Sequence, residues 1–220
     1  MWQFISTNAQ FLLKGGWVML PIFLCSIFSL TIIIERFIFF ASISSGKSKI
    51  IFRIFELVKK NRLADALNLC EKNPFYITNI LKAGLLHYEE SKDLIKEAME
   101  NTSLYEIPRL EKNLNFLSTI AHISPLLGLL GTVTGLVRCF YVIEKKAVIA
   151  GLVNPSDLAG GIWEALITTV AGLCVAIPTY IAYNYFVHRV NLSILETERA
   201  ATELLEILSQ QRYLGKTNED

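Results

Sequence analysis

Cysteine, histidine and net charge are scarce in this chain, and each scarcity closes a class of function. The four cysteines, Cys25, Cys70, Cys139 and Cys174, are scattered without a CxxC pair, and the three histidines, His87, His122 and His188, are equally dispersed. Neither set has the spacing of a metal site or a disulfide framework. The cysteines therefore read as small apolar fillers, and no metal or cofactor is expected. A net charge of +1 leaves no electrostatic footprint for nucleic acid. There is no phosphate loop either, because Gly128-Leu129-Leu130-Gly131-Thr132 lacks the lysine such a loop needs. No Ser/His or His–metal constellation stands in its place, so an enzyme is not expected.

What the chain has instead is apolar length. Of 220 residues, 52% are hydrophobic and only 19% charged, and the mean hydropathy is +0.41. That balance belongs to membrane proteins. Uncharged runs extend from Gly15 to Ile34, from Leu114 to Val137, and from about Leu158 to Val187, the last interrupted by Glu164 alone. Each is long enough to cross a hydrocarbon core, which takes roughly 20 residues. The first run is too long for a secretory signal, and Glu35-Arg36 follows it like an anchor. The expected fold is an all-α membrane protein with three transmembrane helices and long helical cytoplasmic extensions.

Lysine and arginine near the span ends set the orientation. Arg36, Lys47, Lys49, Arg53, Lys96, Arg109, Lys112, Arg189 and Arg199 lie on one side, against Lys14, Arg138, Lys145 and Lys146 on the other. The richer side is expected to be cytoplasmic. The layout is then a periplasmic N-terminus (1–14), a first span (15–36), a cytoplasmic helical region (37–113), a second span (114–137), a periplasmic loop (138–157), a third span (158–187) and a cytoplasmic helix and tail (188–220). In the cytoplasmic region Ile51, Ile54, Phe55 and Val58, then Leu63, Ala66, Leu67 and Cys70, recur at helical spacing. Asn73-Pro74 breaks that pattern. Phe75–Tyr88 and Lys92–Ser103 are further helices, and Pro108 is expected to kink or restart the chain. Arg189–Gln211 should extend the third span, and the tail from Gly215 should fray. So little chain lies outside that function must reside in the membrane or on the cytoplasmic side.

Within the spans the informative residues are small or polar. Ala165, Thr169, Gly172 and Ala176 recur at helical spacing, and Gly128, Gly131 and Gly135 line one face of the second span. Such stripes let helices approach closely. Thr132 sits beside the glycine face, where its hydroxyl either bonds its own helix or meets a polar group in a pore. Glu164 reads as an interfacial charge favoured by a helix start, or as a lumen-facing carboxylate that attracts cations or takes part in proton transfer. Thr168, one turn on, shares the face of Glu164, while Thr169 is rotated well away. His122 and Asn115 are also polar, and His122 reads as an interhelical contact in preference to a relay member.

The runs Ser124-Pro125-Leu126-Leu127-Gly128-Leu129-Leu130-Gly131-Thr132-Val133 and Gly161-Ile162-Trp163-Glu164-Ala165-Leu166-Ile167-Thr168-Thr169-Val170-Ala171-Gly172-Leu173, with Ala176-Ile177-Pro178, carry a family resemblance. So, more weakly, does Ile32-Ile33-Ile34-Glu35-Arg36. The chain resembles the ExbB/TolQ group of the MotA/TolQ/ExbB proton-channel family. A MotA-like subunit would have a fourth span, which this chain lacks. The resemblance implies a pentameric ring in the inner membrane of Gram-negative bacteria. The ring would hold two copies of a small single-span ExbD- or TolR-like partner with a proton-carrying aspartate. The complex would use the proton motive force to work on a TonB- or TolA-like protein. It also implies that Thr132 and Thr169 are the hydroxyls facing that aspartate and that Glu164 is the pore glutamate, with Thr168 the second choice. Trp163 and Thr168 depart from the small residues that common members carry there. The small-residue stripes, including Gly128, Gly131, Gly135, Ala165, Gly172 and Ala176, would supply flat faces between subunits. The competing reading is a non-conducting helical scaffold that clusters partner proteins in the membrane.

Overall fold

The computed structural model describes residues 16–44, 47–150 and 155–217. Among them are seven helices and no strand: α1 (Met19–Ser44), α2 (Lys47–Lys59), α3 (Leu63–Lys72), α4 (Tyr76–Leu86), α5 (Lys92–Glu111), α6 (Leu114–Ala150) and α7 (Pro155–Thr217). Three stretches, within α1, within the chain from Lys92 to Lys145 and within α7, are long and apolar enough to cross a membrane. Apolar side chains on their surfaces, among them Phe23, Phe28, Leu129, Val133, Leu166 and Val170, are exposed on the single chain, as helices that meet lipid or neighbouring membrane helices require. The protein is an all-α membrane protein.

Helix extends beyond the apolar runs, in keeping with the expected long helical extensions. α1 does not stop at Glu35-Arg36 but continues to Ser44, and α6 continues through Ala150, so most of the segment 138–157 is helical. The tail expected to fray from Gly215 is helical through Thr217. Pro108 does not restart the chain: it stands inside α5. The break comes instead at Lys112-Asn113, where Asn113 adopts φ 65°. Asparagine tolerates this left-handed conformation better than most residues.

The chain divides into two compact units. The described part of the first comprises 16–35 and 113–185 and contains the membrane helices. Val18, Met19 and Ile22 of α1 and its entry turn pack there against Leu127 of α6 and Ala171 and Val175 of α7.

The second unit comprises 36–112 and the chain from Phe186 onward. Its helices are amphipathic, and they bury Ile54, Val58, Ala66, Cys70, Ile77, Leu81, Met99 and Leu204. The break at Asn73-Pro74 is present, and Thr78 secures it: the Phe75 N–H donates to Thr78 Oγ1 at 3.0 Å. Ser91 caps α5 by accepting from the Leu94 N–H at 3.4 Å. Arg36 is 2% exposed. Its guanidinium donates to the Leu110 carbonyl at 3.2 Å and lies 4.8 Å from the Phe39 ring centroid. It thereby satisfies one of the carbonyls that the end of α5 leaves unpaired.

Candidate functional site

Close approach between α6 and α7 builds the site. A Cβ on Gly131 would lie 2.3 Å from Thr168 Oγ1, one on Gly172 would lie 2.5 Å from the Ser124 carbonyl, and one on Gly128 would lie 3.0 Å from both the Thr168 carbonyl and the Thr169 Cα. A Cβ on Gly135 would touch Ala165 at 3.1 Å. Ala165 and Ala176 are buried. The two small-residue stripes therefore meet each other inside one chain. They are occupied there, and are not left open for a neighbouring subunit. Pro178 stands within α7 and is exposed.

That approach brings three threonines to one level. Thr132 Oγ1 and Thr169 Oγ1 are 2.5 Å apart. Thr132 Oγ1 also reaches the Gly128 carbonyl at 3.2 Å and the Ala165 carbonyl at 3.3 Å, and Thr169 Oγ1 reaches the Gly128 carbonyl at 3.1 Å. Each hydroxyl has one proton to give and lone pairs to receive with. Two arrangements are thus available. Thr169 can donate to the Gly128 carbonyl while Thr132 donates to Thr169, or Thr132 can donate to the Ala165 carbonyl while Thr169 donates to Thr132. In either arrangement both protons are spent within the pair, so it offers lone pairs to a third group and becomes a donor only when one internal bond is given up.

Thr168 behaves differently. It is 0% exposed and donates at 2.7 Å to the Ala165 carbonyl, with Gly131 pressed against it. Thr132 and Thr169 keep partial exposure. Of the two neighbouring threonines in α7, Thr169 is the one with access to something outside the chain.

Glu164 is placed apart from this pair. Its carboxylate is 3.6 Å from Arg138 Nη1, with the Glu164 side chain 24% exposed, and it lies against Gly16. A Cβ on Gly16 would fall 2.3 Å from Glu164 Oε1, and Gly16 has φ +67°, so conformation and space both call for glycine. Five residues separate Glu164 from Thr169, a rotation of about 140° on a regular helix. Sequence reasoning counted Arg138 only as an outer charge. The contact of Gly135 with Ala165, seen only in the structure, sets Arg138 and Glu164 at matching levels of antiparallel helices.

The same geometry shows which face is open. Leu127 is about 140° around α6 from Thr132, and Ala171 and Val175 are about 160° and 120° around α7 from Thr169. Those three are residues that the first turns of α1 pack against. The hydroxyl pair therefore lies on the side of α6 and α7 turned away from α1. His122 is exposed, its ring 6.1 Å from that of Tyr180 in a T-shaped contact at 88°. Asn115 is exposed as well. Among the described residues no three His, Cys, Asp or Glu side chains gather as metal ligands.

Three long apolar helices, two of them joined through glycine around a hydroxyl pair, define a polytopic membrane protein with a polar site inside its span bundle. Residues 73–199 match the model of the MotA/TolQ/ExbB proton channel family. The chain is 32% identical over 174 residues to an ExbB-like biopolymer transport protein of Synechocystis, spanning 79% of this chain and 82% of the relative. It is 42% identical over 118 residues to the biopolymer transport protein ExbB of Aquifex aeolicus, spanning 54% of this chain and 76% of the relative. It is 38% identical over 110 residues to the Tol-Pal system protein TolQ of Haemophilus influenzae, spanning 49% of this chain and 46% of the relative. The chain belongs to the MotA/TolQ/ExbB proton channel family, in its ExbB/TolQ group.

Proposed function

We propose that this chain is the channel-forming subunit of a proton-driven motor in the bacterial inner membrane. The observation that carries the reading is the Thr132–Thr169 pair on the face of the second and third spans that α1 leaves uncovered. A ring of five chains would turn that face toward a lumen holding two copies of a small single-span ExbD- or TolR-like partner. A carboxyl group of the partner could exchange hydrogen bonds with the hydroxyls in either protonation state. Each proton crossing ~100 mV releases about 2.3 kcal/mol, so a few protons suffice for one mechanical step on a TonB- or TolA-like protein. The N-terminus lies in the periplasm and the C-terminus in the cytoplasm. Glu164, paired with Arg138, then stands at the outer mouth, and lipid covers the apolar outer faces.

Native mass spectrometry of the complex extracted in mild detergent from its own host tests this. Five copies with two small single-span chains are expected, and proton-driven work is expected to stop in Thr132→Ala and Thr169→Ala while assembly persists. A ring without an inserted chain, or normal work from both variants, would sink the motor and favour a non-conducting scaffold.

A further inference from the structure

His122 is exposed on the single chain although it stands inside the second membrane span. An ionisable side chain in that position faces another chain or a wet pathway, because lipid does not tolerate it. It lies ten residues from Thr132, about 15 Å along the axis and about 80° around it. Tyr180, which touches its ring, lies eleven residues from Thr169 and only about 20° around α7. Both pairs thus belong to the side of α6 and α7 turned away from α1. Asn115, seven residues before His122 and about 20° from it, continues the polar track toward the N-terminal end of α6.

The ring's hydrogen bonding fixes its chemistry. His122 Nδ1 is 2.7 Å from the Ser118 carbonyl, an oxygen that can only accept. Nδ1 therefore carries the hydrogen, and Nε2 presents its lone pair. From α7 the titratable group against the ring is Tyr180, and the first turns of α1 pack on the other side of the helix pair.

We propose that His122, held by Ser118 and Tyr180, is a second proton-handling station on the pathway of the hydroxyl pair. It takes a proton at Nε2 after the pair has passed it on, holds it as imidazolium, and releases it to water at the N-terminal end of α6. Water carries the proton across the roughly 15 Å between pair and ring: the Nε2–H bond forms as an O–H bond of the delivering water breaks, it breaks as an O–H bond of the receiving water forms, and the neutral ring is restored. The inference rests on the motor reading, whose orientation makes that end cytoplasmic. Histidine changes charge between about pH 5 and 8. Acidifying the receiving side over that range keeps the ring charged and slows release.

The test uses the complete complex with its natural partner, reconstituted in vesicles containing a pH-sensitive dye. His122→Gln retains a donor for the Ser118 carbonyl but cannot carry a proton. It is expected to lower flux about tenfold or more and to abolish the dependence on receiving-side pH. Loss of flux in Thr132→Ala and Thr169→Ala, together with wild-type flux and pH profile in His122→Gln, overturns the station and leaves the motor reading intact. Wild-type flux in the threonine variants overturns both. A measurement on the unmutated complex guards against variants that fail to assemble. Selective isotope labelling of the working complex should show Nε2 of His122 gaining and losing a proton during transport, and a ring that stays neutral throughout overturns the station.

Discussion

The hydroxyl oxygens of Thr132 and Thr169 lie 2.5 Å apart, across an interface that Gly128 and Gly131 keep narrow. With larger residues at those positions the helices would separate, and the two threonines would each fall back on a carbonyl of their own helix. The pair is therefore a product of glycine packing as much as of threonine chemistry.

Because the two hydroxyls act on one another, their substitutions should not add. In a cycle of Thr132→Ala, Thr169→Ala and the double variant, either single change should remove most of the proton flux and the second should cost little more. The coupling should fall in the range of about 0.5–3 kcal/mol that contacting residues show. Serine at either position keeps the hydroxyl and should restore flux. Strict additivity in the cycle would mean the two residues act independently.

Gly131→Ala should destabilise the membrane unit by about 1–3 kcal/mol, the usual cost of overpacking, because its Cβ would meet Thr168 within its own packing distance. Gly160→Ala is the control, since a Cβ there meets nothing within 4 Å. Thermal unfolding of the two variants in the same detergent measures the difference. Equal midpoints would mean that α6 and α7 separate without cost.

Much of this was legible in the sequence, for identifiable reasons. The three spans were readable because uncharged runs of that length have few alternatives. The glycine and alanine stripes were readable because their spacing follows the helix. Their partner was not: a stripe shows that something comes close, and only the fold shows that Gly131 meets Thr168 of the same chain. Family resemblance favoured Thr169 and helical rotation favoured Thr168 as the mate of Glu164. The structure gives each its own place, with Thr169 beside Thr132 and Thr168 buried under Gly131. Helix ends were the least legible. α1 and α6 run on through charged residues that look like stops, because helix continues wherever backbone bonding is satisfied, whether or not lipid surrounds it.

Burial pushes the Cys70 thiol up to about 11 from its ordinary 9.0, against a smaller opposing pull from Lys82. The nucleophile is the thiolate, so at pH 8 Cys70 should react with maleimide about a hundredfold more slowly than in the unfolded chain. Peptide mapping after timed labelling reads this directly, and the rate should climb as pH rises toward 11. The sign for stability follows from the same shift. Above pH 9 the folded state holds the proton that the unfolded state releases, so this contribution is full below pH 9 and declines between 9 and 11. Equal labelling of folded and urea-unfolded protein at pH 8 would show that the helical unit around Cys70 opens readily.

Glu164 and Arg138 offer the sharpest separation between charge and position. Arg138 is largely exposed, so in water the pair would be worth little. Its importance would lie in setting the charge at the mouth of the pathway. Glu164→Arg and Arg138→Glu each place two like charges within a few ångströms and should depress flux. The double exchange restores opposite charges, in reversed order, and should recover assembly. Recovery of flux along with assembly would mean that only the pairing matters. Recovery of assembly without flux would mean that a negative group is needed on α7 itself, beside Gly16, where a passing cation would meet it. Proton flux and co-purification of the small partner, measured on the same four proteins, distinguish the two outcomes.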